Sequence, residues 1–295
     1  MNANRKSFPR RSPFAARRAG FLPRPGHASR LTPHVAAFTL IELLVVISII
    51  GLIAALGVPA LKNLGKSNLA TSAAQQLLDD VSRARQLAIR QRTTVYMVFL
   101  PTNFWSAIPN PGTNTGQYGQ LLGLSQSQLG GYAFISQGKL GDQPGQRLSD
   151  WQYLDTWQSL PQNNYIAAWK FALPVGKTTL INNGPLTVGS FKRTAVPFPT
   201  QTNTLLVTLP YVAFNYLGQL TTNGVDASYQ DEYIPLAQGS VAYGYNGSTK
   251  SPTLTKVADS DVTETPAGVS TSSAFTLVHI DALTGRARLE FQKVQ

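Results

Sequence analysis

Residues 38–61 read FTLIELLVVISIIGLIAALGVPAL. In these 24 positions a single ionisable side chain, Glu42, interrupts an otherwise apolar run. About 20 consecutive apolar residues suffice for a helix to cross the hydrocarbon core of a bilayer, so the run predicts a membrane-spanning helix. A carboxylate in such a span costs about 2.5–3.5 kcal/mol at the bilayer centre even on insertion scales. A glutamate kept near the start of the span therefore predicts a use for it. Pro59 removes a backbone donor and predicts a kink, and Gly51, Gly57 and Gly65 add local weakness.

The chain has 295 residues and a net charge of +11, a value that suggests a nucleic-acid binder until the charge is located. Residues 1–37 hold Arg5, Lys6, Arg10, Arg11, Arg17, Arg18, Arg24 and Arg30 and no acid, 8 of the 25 basic residues. The other 17 basic residues face 14 acidic ones, a net of +3. Basic residues flanking a span favour retention on the cytoplasmic side. The expected topology is N-terminus in, bulk of the chain out. With no cysteine and only His27, His34 and His279, disulfide staples, thiolate metal sites, cysteine nucleophiles and most zinc or histidine-based catalytic sites are excluded. An enzyme is not expected, nor a cofactor.

Residues 1–37 mix Arg, Pro, Ser and Ala without periodicity and read as a targeting leader. An ordinary secretory signal has an apolar region of about 7–15 residues; this one is longer and carries a glutamate. Beyond the span, Leu69, Ala73, Leu77, Val81, Ala84 and Ala88 recur at three- and four-residue spacing, one narrow helix face. Asp79, Asp80, Arg83, Arg85 and Arg90 mostly fall elsewhere. One helix over 38–92 would be about 80 Å long at about 1.5 Å per residue, with 38–61 as its membrane half and 62–92 as an amphipathic half.

Residues 93–295 predict a β-rich globular domain. Thr93–Leu100 is β-branched and aromatic, a strand. Further strands are expected at 164–172, 185–192, 204–209, 211–216, 274–281 and 286–292. The last two are joined by Asp281-Ala-Leu-Thr-Gly285, good turn chemistry. In 286–292, Ala287, Leu289 and Phe291 alternate with Arg286, Arg288 and Glu290, the pattern of a half-buried strand. Residues 101–165 and 220–270 are rich in Gly, Gln, Asn, Ser and Thr and read as long decorated loops, the first with short helical turns.

Phe38-Thr-Leu-Ile-Glu42-Leu-Leu resembles the cleavage and methylation motif of type IV pilins and type II secretion pseudopilins. The resemblance is tight over 37–61, where Phe38, Glu42, Gly51 and Pro59 fall at positions at which pilin-like helices carry these residue types. Ala37 stands where the family usually has Gly. The resemblance implies cleavage by a prepilin peptidase between Ala37 and Phe38, N-methylation of Phe38, and a role for Glu42 in guiding assembly. In parallel helices its carboxylate would meet the amine of a neighbour's Phe38. It also implies an α+β, pilin-like fold with the long N-terminal helix packed on an antiparallel sheet. Expected partners are other pilin or pseudopilin subunits, the peptidase, and an inner-membrane platform with its ATPase. The expected location is the bacterial inner membrane, with the C-terminal domain periplasmic or extracellular. The domain's size and insertions suggest a minor subunit.

Downstream, Thr284-Gly-Arg-Ala-Arg288 is similar to the tail of H-type minor pseudopilins and FimT-like pilins. In some FimT-like proteins a Gly-Arg-x-Arg tail contacts DNA. Arg286 and Arg288 are therefore the candidate phosphate ligands, although a mature net charge of +3 does not favour a large nucleic-acid footprint. A third class is a plain signal-anchored or secreted protein, with Val58-Pro-Ala60 as a signal-peptidase site. His279 and Asp281, two apart on a strand, read as a structural or exposed pair rather than a catalytic one. Trp105, Trp151, Trp157 and Trp169 read as packing anchors. Asp142, Asp150, Asp155, Asp226 and Asp231 show no calcium-loop spacing, so no metal site is expected.

Overall fold

The computed structural model describes residues 39–108, 115–137, 151–172, 178–180, 187–200, 202, 205–242, 245–246, 251–252, 262–264 and 276–291. For 56–69 and a few residues at element ends it describes the backbone alone. The chain divides into two compact units, Met1–Ala55 and Leu56–Gln295.

The described part of the first unit is the start of helix α1 (Leu40–Gln91). Its leucines, isoleucines and valines from Leu40 to Ile53 are all exposed. Ser48 in this stretch turns its hydroxyl back onto the Leu44 carbonyl at 2.7 Å, satisfying it within the helix.

In the second unit α1 ends at Gln91 and is followed by β1 (Thr94–Phe99), α2 (Thr115–Ser125), β2 (Gly131–Gln137), β3 (Trp151–Tyr153), β4 (Gln158–Ser159), β5 (Asn164–Ile166) and α3 (Trp169–Ala172). Then come β6 (Thr178–Leu180), β7 (Thr187–Gly189), β8 (Lys192–Pro197), β9 (Leu206–Phe214), β10 (Leu220–Thr221) and β11 (Glu232–Val241). The chain continues through β12 (Tyr245–Asn246), β13 (Ser251–Pro252), β14 (Val262–Glu264), β15 (Thr276–Ile280) and β16 (Ala287–Phe291). The larger sheet runs β10-β9-β1-β2-β3, with β8 on β9 and β4 on β2; the second runs β14-β11-β15-β16, with β5 on β11. All of these described pairs are antiparallel. The fold is α+β, a long N-terminal helix followed by antiparallel sheets, the architecture that the resemblance implied.

Strand alternation divides the first sheet's side chains cleanly. Val95, Met97 and Phe99 of β1, Tyr132 and Phe134 of β2, and Val212 and Phe214 of β9 join one core cluster with Ala74, Leu77, Val81, Ala84 and Ala88 of α1. Ile234, Leu236, Val278 and Ile280 of the second sheet complete it. Alanines at three of those helix positions let the helix axis approach closely, and the expected stripe is buried from Ala73 to Ala88; the side chain of Leu69 lies outside the described residues.

The opposite face carries Tyr96, Val98, Ala133, Ile135, Leu209, Tyr211 and Ala213, packed against Phe104, Trp105, Ile108, Leu121 and Phe198. The sheet is thus buried on both faces, and most of this second cover comes from the stretch expected to be a loop, with Phe198 added from beyond it. Residues 101–165 contain a 3₁₀ turn at Phe104–Ala107, α2, and the fully buried strand β2, which pairs with β1 from Thr94↔Gln137 to Phe99↔Tyr132. The 220–270 region likewise holds β11, the strand to which β5, β14 and β15 all pair.

Three strand assignments also differ. The expected strand 185–192 is instead β7, Thr187–Gly189, followed by a break and β8 from Lys192. The expected break between 204–209 and 211–216 is absent: β9 runs through Pro210, which is registered on Arg193 of β8 and lies beyond Tyr211, the last partner of β1. The expected strand 164–172 stops at Ile166 and turns into α3. That turn buries Lys170, whose ammonium donates to Glu232 and to the Gly189 carbonyl and lies 4.7 Å from the Phe191 ring centre. A fully buried lysine needs these partners.

Candidate functional site

The first turn of α1 is built by two side chains. Thr39 donates from its backbone N–H to Glu42 Oε2 at 3.0 Å and from its hydroxyl to the same oxygen at 2.9 Å. The Glu42 N–H donates back to Thr39 Oγ1 at 3.2 Å. The Leu43 N–H reaches the Thr39 carbonyl at 3.2 Å, the first bond of the helical ladder. Thr39 is therefore the N-cap and Glu42 the third helical residue, the reciprocal arrangement of a capping box. The macrodipole favours a carboxylate at that position as well. Among the described residues Glu42 makes no hydrogen bond beyond this turn, and it is exposed among exposed apolar side chains.

Ala37 and Phe38 lie outside the described residues, as does the side chain of Pro59, whose backbone falls within α1. Among the described residues no helix is long and apolar enough to cross a membrane. The described side chains of the apolar run stop at Ala55, short of the predicted span's end at 61.

The C-terminal arginines sit in a different setting. Arg286 is exposed just before β16, and Arg288 is exposed on it but ion-paired with Glu290 at 3.0 Å. Glu290 Oε1 also faces His279 Nδ1 at 2.7 Å, and Asp231 Oδ2 faces His279 Nε2 at 2.8 Å. The buried His279 ring stacks on Tyr233 with centroids 4.4 Å apart. For Glu290 burial is the largest single influence and raises its pKa. The hydrogen bonds and charges of His279 and Arg288 together outweigh it, holding the carboxyl below the usual range. Arg288 is thus partnered by a carboxylate of its own strand.

Asp281, the expected neighbour of His279, instead closes the β15–β16 turn, its Oδ1 accepting from the Thr284 N–H and hydroxyl, both at 2.7 Å. Asp155 pairs with Arg83 at 2.7 Å, Asp226 accepts from Asn223, and Asp231 also accepts from the Ala282 N–H. Asp142 and Asp150 lie outside the described residues. Among the described residues no group of three or more His, Asp and Glu is placed to hold a metal ion. Trp105 is buried, Trp151 packs edge-on to Tyr96, Trp157 donates to the Pro199 carbonyl at 2.9 Å, and Trp169 packs on Val188 and Leu277.

One polar cluster escaped the sequence reading. Asp80 lies on the buried side of α1 and accepts from the Tyr132 hydroxyl. That hydroxyl accepts from Gln76 at 2.7 Å, and Gln76 reaches the Ser159 carbonyl at 3.1 Å. Burial raises the Asp80 pKa against the Tyr132 hydrogen bond and the Arg83 charge, which lower it. Burial and Asp80 together push the Tyr132 phenol up.

Residues 33–58 match the family model described as the prokaryotic N-terminal methylation motif. The chain carries a prepilin-type N-terminus. The matched segment spans Ala37, Phe38, the Thr39–Glu42 cap and most of the exposed apolar start of α1. No curated protein and no solved structure matches the chain.

Proposed function

We propose that this pilin-like protein is a minor structural subunit of a type II secretion pseudopilus or a type IV pilus-like fibre. A prepilin peptidase removes residues 1–37 and methylates the new amine of Phe38. The apolar start of α1 holds the subunit in the inner membrane with its β-rich domain on the periplasmic side. An assembly platform and its ATPase then draw it into the fibre. The observation that carries this reading is the coincidence of the methylation motif with an exposed apolar helix start that holds a single carboxylate.

In this reading Glu42 pairs with the Phe38 amine of a neighbouring subunit. Pairing two opposite charges offsets the penalty of an isolated carboxylate in lipid. Head-to-tail contacts that do not close on themselves generate filaments. Glu42→Gln keeps a capping acceptor for Thr39 and removes the charge. Such a subunit should reach the membrane and lose its leader normally, yet be missing from sheared fibres. Incorporation at the wild-type level would remove Glu42 from the mechanism.

A further inference from the structure

His279 is the sole histidine beyond residue 37, and its buried ring is held from both sides. Nδ1 lies 2.7 Å from Glu290 Oε1 of β16, and Nε2 lies 2.8 Å from Asp231 Oδ2, just before β11. An ionised carboxylate is an acceptor only, and a neutral imidazole has one N–H to offer; the imidazolium has two. Both contacts are therefore hydrogen bonds only while the ring carries its second proton. Once that proton leaves, one ring nitrogen points a lone pair at a carboxylate oxygen, and the two acceptors repel.

The other charged and titratable groups around the ring have places of their own. Tyr233 of β11 stacks on it, with centroids 4.4 Å apart. Arg288 of β16, registered on His279, donates to Glu290 Oε1 from Nε at 3.2 Å and from Nη2 at 3.0 Å. Asp281, two residues on, stays charged in the β15–β16 turn, where it accepts from Thr284. Glu232 accepts from Lys170, while Trp169 of α3 and Val188 of β7 pack beside Leu277 and Tyr233. The two carboxylates that face the ring are not equivalent. Glu290 shares its charge with the Arg288 guanidinium, whereas the other oxygen of Asp231 accepts from the neutral Ala282 N–H. Asp231 therefore attracts a ring proton more strongly, and Nδ1 is the nitrogen that gives its proton up. The side chains of Glu290 and Arg288 are 33% and 67% exposed, so the pair can turn outward together. Among the described strands β16 pairs with β15 alone, so this contact fastens the edge of a sheet.

We propose that His279 is a proton-operated latch on β16: its imidazolium ties Glu290 to β15, and loss of the Nδ1 proton releases Glu290 with Arg288 and loosens the strand. Histidine changes charge between about pH 5 and 8, so the latch is closed at the acid end of that range and open at the alkaline end. The inference goes beyond fibre assembly and holds whether or not the chain is cleaved before Phe38. It is tested on the full-length protein, extracted in detergent and labelled with 15N-histidine. Two-bond 1H–15N correlations separate the imidazolium from each neutral tautomer, and His279→Gln identifies the signal against His27 and His34. From about pH 5 to about pH 8 His279 should pass from imidazolium to the tautomer protonated at Nε2. Amides in peptides covering β16, corrected for intrinsic exchange, should exchange roughly threefold faster or more at the upper pH, as the loss of one hydrogen bond implies. Glu290→Gln offers an amide that can donate to a bare Nδ1 or accept from a protonated one, and should keep β16 exchange flat. Asp231→Asn should invert the neutral tautomer to Nδ1–H and also keep exchange flat. Both variants preserve side-chain shape, and a merely structural histidine would leave the pH profile the same in all three proteins. A ring that keeps one protonation state over this range, a proton lost first from Nε2, or a wild-type exchange profile matched by Glu290→Gln would each overturn the proposal.

Discussion

Thr39 and Glu42 cap one another: three hydrogen bonds of 2.9–3.2 Å join them across the first turn of α1. The carboxylate that the apolar run seemed to strand is therefore already partnered inside its own chain. This sets a competition for the proposed assembly. A neighbour's amine must draw Glu42 away from, or share it with, Thr39, and the cap defines the state it must outbid.

Removing the cap should loosen the helix start selectively. Thr39→Ala is expected to cost about 1 kcal/mol locally, seen as roughly fivefold faster amide exchange at the first helical residues in the membrane-extracted protein. Thr39→Ser should leave exchange unchanged. Equal protection in the alanine variant would show that the cap does not hold the turn.

The tie between α1 and the β15–β16 turn rests on two glycines. Gly285 has φ +63, and a Cβ on it would lie 1.9 Å from the Gly218 carbonyl oxygen. Gly285→Ala must shift backbone in a conformation L-residues rarely adopt, and should destabilise the domain by about 2–3 kcal/mol. Gly123→Ala in α2, where no atom lies within 4 Å, should be neutral or stabilising by up to about 1 kcal/mol. Thermal unfolding of the two variants should separate them; equal melting temperatures would refute the packing.

The Asp80–Tyr132 pair gives a pH signature of definite sign. Because burial raises the folded pKa of Asp80, its contribution is fully present below the unfolded value and is lost as pH rises through the folded pKa. Asp80→Asn keeps an acceptor for the Tyr132 hydroxyl without the charge. It should be neutral or stabilising by about 1 kcal/mol at neutral pH, with the difference shrinking toward acid pH. A variant destabilised more at neutral than at acid pH would reverse the assignment.

The helix face illustrates what periodicity delivers. Ala73, Leu77, Val81, Ala84 and Ala88 repeat with the helix and are buried as the repeat requires. Leu77→Ala should cost about 2–5 kcal/mol in denaturant unfolding, whereas Ala substitution of the exposed Leu283 should change little.

Other elements left weaker traces in the sequence. β1 was legible because six β-branched, aromatic and aliphatic residues follow one another. β2, GYAFISQ, is buried on both faces, so it shows no alternation, and its Gly- and Gln-rich flanks mask it. β11 contains Pro235 and Gly239, residues that ordinarily argue against an interior strand. Glu42 stood out as the lone charge in an apolar run, but its partner within the chain, Thr39, went unread although the Thr-x-x-Glu spacing carries that signal. Asp80 was not, because its burial depends on Tyr132, more than 50 residues away. His279, expected to be structural or exposed, is buried, and its partners are Asp231 and Glu290 from other strands or loops, a pairing that only the sheet register creates.

The most direct measurement is the mass of the N-terminal peptide of the protein extracted from native membranes. The account predicts a peptide beginning at Phe38 with one added methyl group. A peptide beginning after Ala60, or one retaining the leader, would contradict prepilin processing and leave Glu42 with no amine to meet.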